Sequence, residues 1–291
     1  MSDCTEQLKH SINDALQQNN SICIRGSGSK DFYGGEVNGI ELSTKEHTGI
    51  INYEPKELVV TARSGTPLIE IETMLASEGQ MLAFEPPYFS ADATLGGTIA
   101  CGFSGPRRPY SGAARDFVLG TRMINGHAEV LHFGGEVMKN VAGYDVSRLM
   151  VGALGTLGLI LDVSLKVLPL AEQETTLMLE CNAEDAIRLM NEWAGSPFPL
   201  SAACYDGANL HIRLSGTPTA VIAGSKRIGG EQIQDSQAFW KSIRELQHGF
   251  FNRDKTLWRF SMPSTSPYFD LPGKQLIDWG GAQRWFIAED E

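Results

Sequence analysis

Glycine is concentrated in three short segments of the first half of the chain, and this distribution constrains the fold more than any other feature. In the run Met138–Pro169, glycines repeat every three residues from Gly152 to Gly158, directly before a strand-like stretch that ends in proline. The other two segments are Gly26-Ser27-Gly28 and Gly96-Gly97. Because ordering glycine costs backbone entropy, such clusters indicate unusual turns or the close approach of another group. The pattern predicts backbone amides gathered around one long, planar, anionic ligand.

Length and composition narrow the classes of protein that fit this chain. Its 291 residues are 42% hydrophobic, enough for two domains with their own cores. A net charge of −11 argues against nucleic acid and anionic membranes as partners. No apolar run is long enough for a transmembrane segment, and the N-terminus does not look like a signal peptide. The five scattered cysteines form no Cys-x-x-Cys motif, so neither a metal site nor an iron–sulfur cluster is predicted, and we expect a reduced, cytoplasmic protein.

Hydrophobic periodicity predicts two domains, residues 1–170 and 171–291. In the first, short strands flank the first glycine segment, and a helix is predicted with Thr66 at its N-cap, Pro67 in its first turn and Gly79 just past its end. In the second, helices alternate with paired strands, which favours an α+β plait with its helices on one sheet face. The predicted strands of this part are 175–179, 200–205, 210–214, 220–223, 257–261 and 284–287, and the predicted helices are 183–194 and 232–247.

The first glycine segment, Arg25-Gly26-Ser27-Gly28-Ser29-Lys30, does not have the context of a Rossmann site. That site needs a helix directly after the glycines, whereas residues 31–39 are rich in turn formers and have no apolar period. A Walker motif is also absent. The remaining prediction is a strand, a glycine loop and a second strand, in which successive N–H groups can form an anion-binding nest. An ordinary turn is the alternative.

The second glycine segment predicts a flat wall. Small residues dominate the stretch 93–102, which suits the close approach of a planar ring, although Gly96-Gly97 is also compatible with a simple bulge. Arg107, Arg108 and Arg115 follow and are candidates for binding a phosphate or a substrate carboxylate. The alternative is that they are solvated or paired with Asp116.

Together these segments resemble the flavin-binding domain of the vanillyl-alcohol-oxidase family, the PCMH-type FAD-binding fold. The resemblance spans residues 20–169. Within the family, the chain is most similar to the FAD-binding subunits of bacterial glycolate oxidases. The resemblance to the family rests on Arg25-Gly26-Ser27-Gly28-Ser29, Thr94-Leu95-Gly96-Gly97, the run from Tyr110 to Gly120, Lys139-Asn140-Val141-Ala142-Gly143-Tyr144-Asp145 and Gly155-Thr156-Leu157-Gly158.

The resemblance implies a fold and a set of cofactor contacts. The fold is α+β: a FAD-binding domain of two α/β subdomains, residues 1–170, followed by a ferredoxin-like, cap-type domain, residues 171–291. The loop from Arg25 to Lys30 would hold the FAD pyrophosphate through main-chain N–H groups. The other implied contacts are Pro86 and Pro87 beside the cofactor; Gly96, Gly97 and Thr98 along the ribityl chain and phosphates; Cys101, Gly102, Ser104 and Gly105 near the isoalloxazine; and Gly158, Leu159 and Ile160 through their backbones.

Departures from the family pattern shape the functional expectation. Many members attach FAD through a histidine, but Ser29 and Lys30 stand in this loop, so we expect noncovalent FAD, with Cys101 a weak candidate for attachment. The His-x-Gly-Asp-Gly-Asn-x-His motif of catalytic relatives is absent, and His127 and His132 are expected at the surface. The family's C-terminal Asn-Pro-Gly-Arg tail is also missing, which suggests a truncated or naturally short chain.

Three functions remain open at the level of sequence. The first is the FAD-binding subunit of a heteromeric 2-hydroxy-acid oxidase that converts glycolate to glyoxylate. Its partners would be a catalytic flavin subunit and an iron–sulfur subunit, with the complex cytoplasmic or peripheral at the inner membrane. Arg107 or Arg115 is the candidate carboxylate clamp, and no catalytic base is convincing. The second is a noncatalytic assembly subunit with a vestigial flavin pocket. The third is a stand-alone FAD-dependent alcohol oxidase, for which Tyr205, Asp206 and His211 are the polar group to test.

Overall fold

The computed structural model describes residues 2–135, 144–251 and 255–288. The motif at residues 139–143 and the last three residues of the chain lie outside the described residues. The chain divides into two compact units. The first contains Met1–Ser104 and Gly112–Leu170, and the second contains Gly105–Ser111 and Ala171–Glu291.

The described residues form short helices and strands in both units. The helices are α1 (Thr5–Gln17), α2 (Leu68–Ser77), α3 (Leu95–Cys101), α4 (Arg108–Ser111), α5 (Ala114–Phe117), α6 (Val146–Leu149), α7 (Ala183–Ala194), α8 (Pro218–Ile228) and α9 (Ser236–Arg244), with a 3₁₀ turn at Trp279–Gly281. The strands are β1 (Ile22–Arg25), β2 (Ile40–Ser43), β3 (Ile50–Glu54), β4 (Val59–Arg63), β5 (Gln80–Met81), β6 (Val118–Ile124), β7 (Val130–Gly134), β8 (Leu159–Lys166), β9 (Leu168–Pro169), β10 (Gln173–Glu180), β11 (Leu200–Tyr205), β12 (Asn209–Gly216), β13 (Glu231–Gln232), β14 (Leu257–Ser261), β15 (Gly273–Asp278) and β16 (Gln283–Ala288). The α+β class is confirmed.

An antiparallel sheet forms the centre of the first unit. Among the described residues its strand order is β3-β4-β8-β6-β7. β8 is central and almost wholly buried, because its apolar residues reach two cores. Leu159 and Leu161 pack with α1, whereas Ile160 and Val163 join the core that includes α2 and α3. A register shift between β6 and β8 at this point allows neighbouring stretches of β8 to pack into the two different cores.

A small parallel pair, β1 and β2, carries the first glycine segment. Residues 26–39 connect its two strands and contain no helix. The predicted arrangement of strand, glycine loop and strand is therefore confirmed, and so is the absence of a Rossmann helix. Ile22, Ile24 and Leu42 turn towards the core that α1 covers, and this contact anchors the pair.

The second unit is built on a sheet whose described strands run in the order β13-β10-β12-β11-β15-β16-β14. Its helices lie on both faces, so the expectation of helices on one face is wrong. The reason is visible in β11. Ala203 and Tyr205 point into the core formed with α7 and α8, whereas Ala202 and Cys204 point into the core formed with α9.

The predicted elements of the second unit contain three errors, and local signals account for the first two. The predicted strand at 220–223 lies inside α8, because Thr217 caps this helix, Pro218 starts it and Gly229 ends it. The predicted helix at 232–247 is shorter, since Asp235 caps the observed helix and Gln232 belongs to β13. β15 was not predicted.

A buried polar network joins the N-terminal helix of the first unit to its sheet. Arg122 of β6 donates to Asp162 of β8 over 2.7 Å and to the Thr5 hydroxyl over 2.8 Å. The ring of His47 is fully buried, with Nε2 3.2 Å from Asp162 and Nδ1 accepting the Cys4 N–H. Asp162 is therefore the shared partner of two basic side chains inside the unit.

Replacing Asp162 by alanine is expected to destabilise the first unit by about 3 kcal/mol, because it removes the buried carboxylate that pairs with the Arg122 guanidinium. Hydrogen exchange of the β6 and β8 amides is the suitable measurement. The control is Asp14→Ala, which removes an exposed contact to His10 and should change exchange little. Equal protection in both variants would contradict the role given to the network.

Candidate functional site: three glycine segments in the first unit

The loop after β1 presents main-chain N–H groups on a half-buried surface. Gly28 has φ +78°, a left-handed conformation that favours glycine. Within the described part of the chain, the N–H groups of Ser27 and Gly28 donate no hydrogen bond, and Ser29 N–H reaches the Ser27 hydroxyl over a long 3.4 Å. Arg25 pairs with Asp31 and Glu41. The loop therefore offers amides, rather than the Arg25 guanidinium, to an anionic ligand.

The second glycine segment is a helix rather than a flat wall, which corrects the sequence prediction. Thr94 caps α3, its hydroxyl accepting the Gly97 N–H over 3.4 Å, and Gly102 ends the helix at φ +66°. The prediction failed because small residues fit a close-packed helix as well as a wall. Gly96 needs its lack of a side chain, since a Cβ there would lie 2.6 Å from the Cβ of Ser64.

Thr94 also joins the first two glycine segments. A Cβ on Gly26 would lie 2.5 Å from the Thr94 hydroxyl oxygen, so the loop and the start of α3 are in close contact. Thr98 of α3 is fully buried, and its hydroxyl has no hydrogen-bond partner among the described residues. Sequence reasoning missed Thr94 as a site residue, although a threonine three residues before glycine at a helix start is a recognisable cap.

The third glycine segment is hydrogen-bonded to the C-terminal end of α3. The N–H of Gly152 donates to the Ile99 carbonyl over 3.0 Å, and that of Leu154 donates to the Ala100 carbonyl over 2.9 Å. Gly155 lies against Ile24 of β1, since an ideal Cβ on residue 155 would lie 3.4 Å from the Cδ1 atom of Ile24. The structure thus brings the three glycine segments into one neighbourhood of the first unit.

Gly158 leads this third segment into β8. Its φ is +141°, and a Cβ would meet the Ile124 carbonyl at 2.4 Å. Leu159 and Ile160 bury their side chains in separate cores. The last pair between β4 and β8 is Arg63 with Asp162, so the backbone of residues 159 and 160 extends past the end of β4. Any ligand contact there must come from the backbone, as the resemblance implied.

The other predicted residues of the first unit surround this region. Pro86 and Pro87 are buried beside Tyr88, whose carbonyl accepts a hydrogen bond from Lys30 Nζ over 3.4 Å. Lys30 is also buried and donates to the Ser29 hydroxyl over 3.2 Å. Burial raises the pKa of the Cys101 thiol, and the nearby Lys30 charge opposes that effect only in part. Cys101 is therefore a poor nucleophile for flavin attachment.

An aromatic group beside the loop was missed by sequence reasoning. The rings of Tyr33 and Phe103 are 4.7 Å apart, and Phe89 lies 5.8 Å from Phe103 and 5.2 Å from Phe32. Lys30 Nζ lies 5.8 Å from the Phe89 ring centre. No spacing in the sequence links these residues, because they come from three separate segments.

Three of the predicted residues are committed to structural contacts. Gly105 and Arg107 belong to the second unit, where the Gly105 carbonyl accepts the Trp279 indole N–H over 3.1 Å. Arg107 is buried and donates to Glu174 over 2.9 Å. Ser104, in the first unit, accepts the Ala114 N–H over 3.0 Å. A substrate carboxylate would have to displace Glu174 to reach Arg107.

Arg115 is exposed on α5 in the first unit. The neighbouring Asp116 carboxylate accepts the Ala113 N–H over 2.8 Å, so this carboxylate is used as a cap. His127 and His132 are both exposed, as expected. Neither they nor Arg115 is linked to the glycine segments by a described hydrogen bond.

His211 and Asp206 form a buried pair in the second unit. His211 Nε2 lies 2.8 Å from Asp206, and the ring stacks on Phe239 at 4.0 Å. Burial raises the pKa of Asp206, but hydrogen bonds from His211 and from the N–H groups of Asn209 and Ala208 outweigh it and lower the pKa to about 2. His211 is only 5% exposed, which suits a structural role better than contact with a substrate.

The described residues contain no cluster of three or more potential metal ligands. No helix among them is both long and apolar enough to cross a membrane. The N–H groups of Ser27 and Gly28, which have no acceptor among the described residues, suit an anionic ligand.

The fold and the loop amides fit a FAD-binding flavoprotein, and comparisons with known proteins show that class. The family described as "FAD binding domain" matches residues 3–134. Glycolate oxidase subunit GlcE of Escherichia coli (strain K12) is 50% identical over 290 residues, covering 99% of this chain and 82% of that protein. The chain therefore belongs to the family of GlcE, with FAD as its cofactor and the FAD-dependent oxidoreductases as its enzyme class.

Two more distant matches are similar to part of this chain or to its fold. Glycolate oxidase subunit GlcD of Bacillus subtilis (strain 168) is 30% identical over 178 residues, covering 60% of this chain but 37% of that protein. A solved alkyldihydroxyacetonephosphate synthase aligns with a TM-score of 0.71 at 15% identity, covering 97% of this chain and 68% of that one. At that identity, the match shows the fold alone.

Replacing Gly26 by alanine is expected to weaken FAD binding by about tenfold or more, roughly 1.4 kcal/mol, because the new methyl group would push the loop away from Thr94. Flavin fluorescence titration of the apoprotein measures the change. Gly126→Ala is the matched control, since a Cβ there has nothing within 4 Å. An unchanged affinity for FAD in the Gly26 variant would show that the loop is not part of the FAD site.

Replacing Asp206 by asparagine is expected to cost about 2 kcal/mol at neutral pH. A lowered pKa in the folded state stabilises the protein above the ordinary carboxyl pKa of 3.8 and loses that effect as pH falls towards about 2. The variant should therefore lose less stability than the unchanged protein between pH 4 and 2. All five tryptophans lie in the second unit, so denaturant unfolding followed by tryptophan fluorescence reports on it. Asp270→Asn, at an exposed position, is the control.

Proposed function

We propose that this chain is the FAD-binding subunit of a heteromeric glycolate (2-hydroxy acid) oxidase. In this proposal it works with a catalytic flavin subunit and an iron–sulfur subunit, and the complex oxidises glycolate to glyoxylate. The relative most informative for this is the E. coli protein, whose name describes a glycolate oxidase subunit. The observation that carries the proposal is the contact of three glycine segments around free loop amides, together with the commitment of Arg107 to Glu174.

In this proposal the chain's residues bind the cofactor mainly through the backbone. The N–H groups of Ser27 and Gly28 would hold the pyrophosphate, because they have no other acceptor among the described residues. Gly26 and Gly96 would let the loop, α3 and Ser64 pack closely enough to keep those amides fixed. Pro86 and Pro87 would stiffen the neighbouring segment. When bound, FAD supplies the capacity to accept two electrons from a CH–OH group.

Noncovalent binding is part of the proposal. The loop has Ser29 and Lys30 where relatives with attached flavin have a histidine. The thiol of Cys101, the other candidate, has a raised pKa because it is partly buried. We therefore expect acid or denaturant to release all the flavin from the protein.

The partner subunit is the better place for the oxidation step. Removing a proton and a hydride equivalent from a 2-hydroxy acid requires a base and a cation that holds the carboxylate. In the described residues, Arg107 is paired with Glu174 and His211 is buried on Asp206. The chain's own side chains therefore favour cofactor binding and assembly over substrate chemistry. We propose that the complex is cytoplasmic and that any association with the inner membrane is made through its partners.

The commitment of Arg107 also favours a second candidate, a noncatalytic assembly subunit with a vestigial flavin pocket. The two candidates share partners and differ in the cofactor. A stand-alone alcohol oxidase is the third. It would depend on Tyr205, Asp206 and His211, whose histidine is buried and tied to the aspartate.

The isolated chain is expected to show a flavin absorption band that glycolate does not bleach, while the complex purified from its native source is bleached. Mass spectrometry of that complex should identify a second flavoprotein and an iron–sulfur protein. A folded chain without any flavin band would favour the assembly subunit. Bleaching of the isolated chain by glycolate, lost in His211→Ala, would favour the stand-alone enzyme and contradict the proposal.

A further inference from the structure

The segment Gly105–Ser111 belongs to the second unit, although the chain on either side of it belongs to the first. We call it the crossing segment. The residues that flank it are joined within the first unit, where the Ser104 hydroxyl accepts the Ala114 N–H over 3.0 Å. The chain therefore leaves the first unit and returns to it at one closed point. A contact that holds the crossing segment in the second unit also restricts the backbone at this point.

The crossing segment begins close to the candidate site of the first unit. Helix α3 ends at Cys101, and the carbonyls of its last turn accept hydrogen bonds from the third glycine segment. Three residues then lead to Gly105. One of them is Phe103, whose ring lies 4.7 Å from that of Tyr33, in the loop after the first glycine segment. A displacement of Gly105 would therefore be passed along the chain to Phe103 and to the end of α3.

Trp279 holds the crossing segment inside the second unit. Its indole N–H donates to the Gly105 carbonyl over 3.1 Å, and the Arg108 guanidinium lies 4.2 Å from the centre of its ring. A Cβ on the next residue, Gly280, would lie 3.5 Å from the Tyr110 hydroxyl oxygen. One turn of the chain thus reaches three residues of the crossing segment. Trp279 is only 7% exposed, so water has little access to the indole N–H.

The backbone of Trp279 has a conformation that large residues rarely adopt. Its φ is +54°, and Gly280 and Gly281 also have positive φ values. Two contacts fix this turn: the Asp278 carboxylate accepts the Trp279 N–H over 2.7 Å, and the Asn191 side chain donates to the Gly280 carbonyl over 3.3 Å. Glycine would adopt this φ more easily, so the tryptophan is explained by its side chain rather than by its backbone. Such strained residues often lie at functional positions.

We propose that Trp279 is a positioning residue for bound FAD. It acts through Gly105: the hydrogen bond to this carbonyl fixes the backbone of residues 102–104, and with it the end of α3 beside the other glycine segments. The effect on FAD cannot exceed the free energy of the contact itself, and one hydrogen bond corresponds to about a fivefold change in affinity. The inference rests on the proposed function in one respect, because it takes the three glycine segments as the place where FAD binds.

The test compares two tryptophan variants of the full chain. Trp279→Phe keeps an aromatic ring and removes the N–H that reaches Gly105. Trp240→Phe is the matched control: its indole N–H is also buried in the second unit, donates to the Thr176 hydroxyl over 2.9 Å, and belongs to a ring with an arginine 5.1 Å away. Fluorescence titration of the apoprotein measures FAD affinity, visible circular dichroism reports the surroundings of the bound flavin, and far-ultraviolet circular dichroism on heating measures stability.

A second pair of variants changes exposed side chains, which carries less risk to folding. Arg108→Gln removes the guanidinium that the crossing segment places on the Trp279 ring. Arg259→Gln removes the guanidinium from β14 that lies 5.3 Å from the same ring. Both variants lose one positive charge, and only the first alters the crossing segment.

We expect both tryptophan variants to unfold at lower temperature, but only Trp279→Phe to weaken FAD binding, by about fivefold, and to change the visible circular dichroism of the bound flavin. Arg108→Gln should change the flavin spectrum in the same direction and by less. Arg259→Gln should leave it as in the unchanged chain.

An unchanged affinity and flavin spectrum in Trp279→Phe would overturn the proposal. Equal changes in Trp279→Phe and Trp240→Phe would also overturn it, because they would show a general effect of a weakened second unit. If Trp279→Phe does not fold, the arginine pair decides: a flavin spectrum unchanged in Arg108→Gln, or changed equally in both arginine variants, overturns the proposal. An unchanged chain that binds no FAD would instead overturn the cofactor role in the proposed function, and this inference with it.

Discussion

The contact between Gly26 and Thr94 is the interaction on which the site of the first unit depends. The Thr94 hydroxyl caps α3 and lies where a side chain on residue 26 would have to go. One oxygen atom thus sets the spacing between the loop after β1 and the start of α3. The amides of Ser27 and Gly28 are held beside that contact without hydrogen-bond partners among the described residues. A site built from backbone groups needs such close packing, because amides cannot move independently of the chain to reach a ligand.

The second unit uses its charged residues differently. Arg107, Glu174 and Ser215 form a connected polar group, and Arg213 lies with its Nε 3.8 Å from Glu174. Arg284 is almost fully buried and donates to the carbonyls of Pro267 and Ser266. Burying such groups is costly unless they are paired, so these arginines hold loops against the sheet.

Much of the architecture could be predicted from the sequence. The absence of a helix after the first glycine loop follows from the turn-forming residues 31–39, and the helix at Ala183–Ala194 was predicted to the residue from its apolar spacing. The errors occurred where one composition fits two structures. The short apolar stretch at 220–223 suits a strand or a buried helix, and only the flanking Thr217-Pro218 and Gly229 indicate helix. Small residues at 93–102 were read as a wall but wind into α3.

The amino-acid sequence alone determined the local conformations: where the backbone needs glycine, which residues cap helices, and which runs are apolar enough for strands. These depend on neighbours a few residues apart, which a sequence displays directly. The tertiary structure decided which distant groups meet. Arg107 meets Glu174 across 67 positions, His47 meets Asp162 across 115, and Trp279 meets Gly105 across 174. Such pairs form because packing brings their elements together, and it is this packing that commits Arg107 to a structural ion pair while leaving the loop amides for a cofactor.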